Sequence, residues 1–253
     1  MTESLAAASS HPSNLEPRTG QPAARAAAHS RFFARMASTL LVAVLVGFAP
    51  SFYLRPWFDV APEAPRVWLH GSVLTAWFAL FWLQAEWVAR RRIAWHRRAG
   101  WLGAAIAFAA VVTAVHVTLA AAAAGTTNPR PVWSNLANAT AFATFVGTAI
   151  ALRRNSDTHK RLMLLASIAF VQPALARFFV WSPLAGLAPN PVVGGLTASL
   201  LFLLPLVAHD LATRRQLHPA TLIGGVALIA IRLTAVFVVA PSTFGQSVMT
   251  WFE

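Results

Sequence analysis

Residues 69–103 read LHGSVLTAWFALFWLQAEWVARRRIAWHRRAGWLG. The stretch opens as a nearly uncharged apolar run, passes through five arginines (Arg90, Arg91, Arg92, Arg97 and Arg98), and becomes apolar again at Trp101. A helix needs about 20 apolar residues to cross about 30 Å of hydrocarbon. Two such helices joined by a short basic turn is the arrangement this stretch specifies. The same alternation recurs outward in both directions.

The 253-residue chain is 57% hydrophobic and 11% charged, with a mean hydropathy of +0.58, too apolar for an ordinary soluble domain of about 45–50% apolar residues. Apolar runs at 36–53, 66–89, 99–123, 134–152, 161–181, 193–212 and 219–240 predict seven spans. A lipid-exposed backbone must satisfy its own hydrogen bonds, and the runs do not alternate as barrel strands do, so each span is predicted to be a helix. The expected fold is therefore all-α, a polytopic seven-helix transmembrane bundle over 31–253. Residues 1–30, rich in Ala, Ser, Pro and Arg, are expected to form a disordered cytoplasmic tail. Pro50, Pro173 and Pro205 fall inside spans and predict kinks, whereas Pro129, Pro131, Pro189 and Pro191 are expected in loops.

Orientation follows from the basic residues. Fifteen of the 20 Lys and Arg residues fall in one alternate set of segments: Arg18, Arg25, Arg31 and Arg35; the five arginines of the opening stretch; Arg153, Arg154, Lys160 and Arg161; and Arg214 and Arg215. The other loops hold Arg55, Arg66 and Arg130. The positive-inside rule places the first set in the cytoplasm, the N-terminus with it, and the C-terminus outside. The net charge of +12 is thus a topology signal and not a nucleic-acid surface, since the basic residues form short clusters between apolar spans. Cysteine is absent, which excludes disulfides, thiolate metal sites and covalently attached haem. The Ala- and Arg-rich composition, with one Lys, is associated with GC-rich bacterial genomes and so with an inner membrane.

The opening stretch and a second one at 158–178, THKRLMLLASIAFVQPALARF, resemble signatures of uncharacterised multi-span bacterial membrane proteins, a family of unknown function. The matching residues are His70, Trp77, Gln84, His96, Arg97, Arg98 and Gly100, then His159, Lys160, Arg161, Leu162 and Met163. The resemblance covers about 66–180. It implies a membrane architecture and a role for the histidines, without an activity.

His70, Trp77, Gln84 and Arg91 are spaced by seven and fall along one face of the second span, which is expected to face protein. By depth, at about 1.5 Å per residue, His70, His116, Asn135, Asn138, Arg177 and Arg232 all lie in the outer halves of their spans, where no carboxylate is available within a span to neutralise the two arginines. An intramembrane arginine costs about 2.5–3.5 kcal/mol on insertion scales and faces a bundle interior or a watery cavity. Asp59 or Glu63, in the first outer loop, could instead fold back to pair with either. Thr140, Thr144 and Thr148 form an i, i+4 row expected to serve helix packing.

The chemistry these residues allow is a b-type haem, with His70 and His116 as axial ligands, Arg177 and Arg232 on its propionates, and Trp77 and Gln84 lining the site. At the cytoplasmic face His96 and His159, near His209, His218, Glu86, Asp157 and Asp210, could hold a second haem or metal, or could bind anionic lipid headgroups with the surrounding arginines. Two functions stay open: a redox membrane protein of the cytochrome-b type, or an accessory protein with an outer-leaflet pocket for an anionic lipid, quinone or small metabolite. A transporter is a third, disfavoured for want of midplane carboxylates. Metalloprotease, P-loop, serine-hydrolase and membrane di-iron motifs are absent.

Overall fold

The computed structural model describes residues 20–58, 60, 61, 63–125 and 128–251, with side chains from Ala28 onward. Every regular element among them is helical: α1 (Gly20–Gly47), α2 (Pro65–Ala89), α3 (Ile93–Ala123), α4 (Pro129–Ala151), α5 (Ser156–Trp181), α6 (Pro191–Leu201), α7 (Leu203–Arg214), α8 (Pro219–Leu233) and α9 (Thr243–Thr250). Five stretches are long and apolar enough to cross a bilayer: Ala28–Gly47, Ile93–Ala123, Ser156–Trp181, Pro191–Arg214 and Pro219–Val239. Helices α2 and α4 match these in length, at 25 and 23 residues, but their Trp, His, Gln, Asn and Thr residues make them less apolar.

Helix starts follow one local rule. Pro65, Pro129, Pro191 and Pro219 each occupy the first turn of a helix, where the missing N–H has no intrahelical partner to lose. Asn128 and Asn190 cap two of them by accepting from Arg130 N and Val193 N. This corrects the expectation that Pro129, Pro131 and Pro191 mark loops. Helix α1 also starts earlier than predicted. Residues 20–30, expected to be disordered, are helical, in keeping with the high helix propensity of their alanines. Residues 1–19 lie outside the described set.

The three span prolines act differently. Pro50 sits in a π-helical segment, Ala49–Tyr53, that ends the first span. Pro205 lies three residues after Phe202, where α6 gives way to α7; without an N–H it cannot bond the Leu201 carbonyl. Pro173 leaves α5 continuous but frees the Ala169 carbonyl one turn back, and that carbonyl finds another donor, described below.

Helix α5 is the axis of the molecule and packs against α1, α4, α6 and α8, while α2 bridges α1 and α3. Its fully enclosed residues include Leu164, Leu165, Ile168 and Val171. Close approach is made by glycine. A Cβ on Gly195 would lie 2.6 Å from the Ala176 backbone nitrogen, and one on Gly47 would lie 2.5 Å from the Ala174 carbonyl oxygen, so α6 and α1 both rest on the α5 main chain. Outward faces are apolar, with Phe108, Val112, Leu204 and Ile223 exposed. Exposed tryptophans gather near helix ends, Trp95 and Trp101 beside the arginine-rich turn and Trp57, Trp68 and Trp181 at the opposite end. The threonine row of α4 is exposed and does not serve packing within the chain; Thr148 Oγ1 instead donates to the Thr144 carbonyl.

Candidate functional site

Polar side chains are gathered in three groups within the bundle. In its middle, Arg232 on α8 is 1% exposed. It donates from Nε to Asn138 Oδ1 at 2.9 Å, from Nη1 to Ser199 Oγ at 2.9 Å, and from Nη2 to the Ala169 carbonyl freed by Pro173, at 3.3 Å. Asn138 Nδ2 passes the network on to Gln172 Oε1, and Gln172 Nε2 donates to the Val192 carbonyl. Neutral oxygens from α4, α5 and α6 thus occupy the donors that were expected to await an anion. Arg232 is a structural tie in this arrangement, and Gln172 is a member that residue spacing did not reveal.

At the arginine-rich end, Arg161 and Asp210, both fully buried, form an ion pair. Arg161 Nε donates to Asp210 Oδ1 at 3.1 Å, and its Nη1 donates to the Asp157 carbonyl. Asp210 Oδ2 also accepts from Thr221 Oγ1 at 2.6 Å and from His218 N at 3.1 Å. The carboxylate therefore joins α5, α7 and the start of α8. Burial, then the charges of Arg161 and Arg214, hold the His218 imidazole below its ordinary value, and its Nδ1 accepts from Ala220 N as the α8 cap. Nearby, His29 Nδ1 and His209 Nε2 share a hydrogen bond of 2.6 Å, and Phe32 stacks on His209 at 3.9 Å between ring centres. Asp210, one turn inside a span, was the sequence signal for this lock, because a buried carboxylate there needs a partner.

The third group lies between α2, α3, α4 and α5 at the same end. His96 on α3 and His159 on α5 lie close together, their ring centres 6.3 Å apart and their planes nearly perpendicular at 82°. His159 Nδ1 lies 2.8 Å from the Ala149 carbonyl. A carbonyl only accepts, so Nδ1 donates this bond and leaves Nε2 as the nitrogen that could take a metal. Close to the pair, the amide atoms of Gln84 and His96 Nδ1 are buried without a hydrogen-bond partner, and Trp77 Nε1, seven residues and about 10 Å deeper along α2, is also unpartnered. Buried polar groups are paired in the great majority of cases, and among the described residues the only other such atom is Arg130 Nε. Trp77 itself packs edge-on to Phe142 and parallel to Phe81, and Phe142 stacks on Phe170, so an aromatic column runs from the unpartnered atoms into the core.

The expected outer histidine pair is not brought together inside the bundle. His70 Nδ1 lies 3.1 Å from Thr113 Oγ1 on α3, whereas His116 is exposed. The reason is helical phase. The buried stripe of α3 is Ala107, Ala110, Ala114, Thr118 and Ala122, and a residue midway between 114 and 118 points about 200° away. Arg91 also leaves the α2 face, since α2 stops at Ala89 and Arg91 adopts a left-handed backbone with φ of 59°. Arg177 on α5 donates to Ser51 Oγ and to the Pro173 carbonyl, beneath which lies the Phe48 ring. Glu63 is close enough to act on Arg177 electrostatically without an ion pair, and Asp59 lies outside the described residues.

The class these features define is a multi-helix bundle suited to a bilayer, with two histidines close together near one end. No known family, curated protein or solved structure matches the chain.

Proposed function

We propose that the chain is a seven-span protein of the inner membrane, its arginine-rich end in the cytoplasm, that holds a redox cofactor through imidazole-ligated metal at His96 and His159. The observation carrying this is the close histidine pair beside the unpartnered Gln84 amide. The 6.3 Å between ring centres would leave room for one metal ion held by a nitrogen of each ring at about 2.0–2.1 Å. Imidazole suits iron, copper, zinc and nickel. Among the described residues no three His or carboxylate side chains converge on one point, so the remaining coordination falls to a porphyrin, the Gln84 amide oxygen or water. A haem there would pass single electrons, the cytochrome-b type of role. The Ala149 carbonyl fixes the His159 ring orientation, and Gln84 lies beside His96.

A second reading has its own support. Trp77 Nε1 and Gln84 Nε2 are both donors, which fits the carbonyl oxygens of a quinone lying against the aromatic column without any metal. Spectra and elemental analysis of protein purified from haem-replete cells separate the two. A Soret band, or about one transition metal per chain, lost in both His96→Ala and His159→Ala, supports the first; a colourless, metal-free protein from which a quinone is extracted supports the second. A preparation with none of these overturns both.

A further inference from the structure

At the end of the bundle opposite the arginine-rich turns, Arg55 is buried and spends its Nε and Nη2 on the Val60 carbonyl, whereas Arg177 is held with part of its fork free. Arg177 lies four residues before the end of α5, about 6 Å along the helix axis, at the level marked by the exposed rings of Trp57, Trp68 and Trp181. Aromatic belts of this kind mark the headgroup region of a membrane. The arginine does not snorkel freely. Its guanidinium carbon sits 4.0 Å from the centre of the Phe48 ring, its Nε donates to Ser51 Oγ at 3.2 Å, and its Nη1 donates to the Pro173 carbonyl at 3.0 Å.

Each of these fixtures comes from a local backbone feature. Pro50 lacks an N–H, and the chain around it widens into a π-helical turn in which Leu54 N bonds Ala49 O at 2.7 Å. That turn carries Ser51 to α5. Such π segments are frequent at functional sites. The fork is therefore held in one plane by a ring and two oxygens, while Nη2 has no partner among the described residues. No carboxylate among them lies within 4 Å, although Glu63 is within electrostatic reach. His70 on α2 is also within electrostatic reach of Arg177, and its Nδ1 is engaged by Thr113.

We infer that Arg177 is the anchor of an anion site for a phosphate group, with His70 at its edge and Phe48 as its floor. A planar guanidinium with free N–H groups pairs bidentately with phosphate oxygens, and depth among the exposed tryptophans makes a phospholipid headgroup the source in a membrane. The site is separate from the His96–His159 centre and stands or falls without it.

The test uses the full chain in a neutral detergent, titrated with phosphatidylglycerol, phosphatidylcholine or inorganic phosphate and read by native mass spectrometry and thermal unfolding. Wild type should retain one tightly bound phospholipid, and Arg177→Gln should weaken that binding about tenfold or more, a loss of about 1.4 kcal/mol or more. Arg177→Lys should recover part of it, and Thr148→Ala, on an exposed face of α4, should change nothing. Ser51→Ala, which frees the fork without removing it, gives the same direction if Arg177→Gln does not fold. Stabilisation by inorganic phosphate alone would assign the site to free phosphate. Equal lipid retention in wild type, Arg177→Gln and Ser51→Ala would overturn the inference, as would binding that emerges only in Asp59→Asn, which would make Asp59 the occupant.

Discussion

Arg232 Nε meets Asn138 Oδ1 at 2.9 Å in the closed interior of the bundle, and this bond joins α8 to α4. A guanidinium surrounded by neutral acceptors is charged and desolvated, yet each of its three nitrogens has an oxygen to which it donates. Leaving a buried donor or acceptor unmade costs about 1–3 kcal/mol, more for a charged group. Asn138→Leu should therefore destabilise the protein by about 2 kcal/mol or more. The double variant with Arg232→Leu should lose less than the sum of the two single changes, by about 0.5–3 kcal/mol. Unfolding of all four proteins in mixed micelles reads this cycle, and additive losses would show that the two residues are not coupled.

The Arg161–Asp210 pair makes a second prediction. Breaking a buried ion pair by removing one partner costs about 3–5 kcal/mol. Asp210→Ala should approach that figure, because the same carboxylate also satisfies Thr221 and the His218 amide. The double change Arg161→Met with Asp210→Leu should recover a substantial part. Thermal unfolding in detergent measures both, and a double variant as unstable as Asp210→Ala would show that the charge is not the source of the loss.

His218 gives a pH dependence with a definite sign. Its folded-state affinity for a proton is lowered, first by burial and then by Arg161 and Arg214, so the unfolded chain binds the proton more readily. Stability from the neutral imidazole is then fully present above the unfolded value of about 6.5 and falls as pH drops below it. His218→Asn, which can still cap α8, should flatten part of the stability slope between about pH 7 and 5. An unchanged slope in that variant would assign the dependence to other groups, among them the His29–His209 pair.

Helix packing on α5 supplies a paired test. Gly195→Ala places a Cβ against main chain on α5 and should cost about 1–3 kcal/mol, as overpacking does. Gly147, on the exposed face of α4, has nothing within 4 Å of an added Cβ, and Gly147→Ala should stabilise the helix by up to about 1 kcal/mol. Equal effects of the two changes on the unfolding temperature would contradict the tight α5–α6 contact.

Helix existence was readable from apolar run length, and the arginine clusters marked the turns, since both are properties of one-dimensional sequence. Helix starts were less readable. Pro129 and Pro191 are loop residues by composition but helix starters by geometry, and only the asparagine before each gives the distinction. At the site level, the nearness of His96 to His159 depends on how α3 and α5 pack, which residue spacing along the chain does not carry. His116 misled because depth along a helix says nothing of phase around it; the small-residue stripe from Ala107 to Ala122 held that information. Arg232 misled in another way. Its anion was sought among charged groups, while Asn138, Ser199 and a carbonyl exposed by Pro173 supply the acceptors.

The histidine centre is tested most directly by pulsed electron paramagnetic resonance, on the oxidised protein as purified or, where no paramagnetic metal is present, on protein loaded with one equivalent of Cu(II). Coupling to two imidazole nitrogens is predicted, reduced to one in His96→Ala and in His159→Ala and unchanged in His70→Ala and His116→Ala. No imidazole coupling, or coupling lost in His70→Ala but kept in the other two variants, would contradict a metal held between His96 and His159.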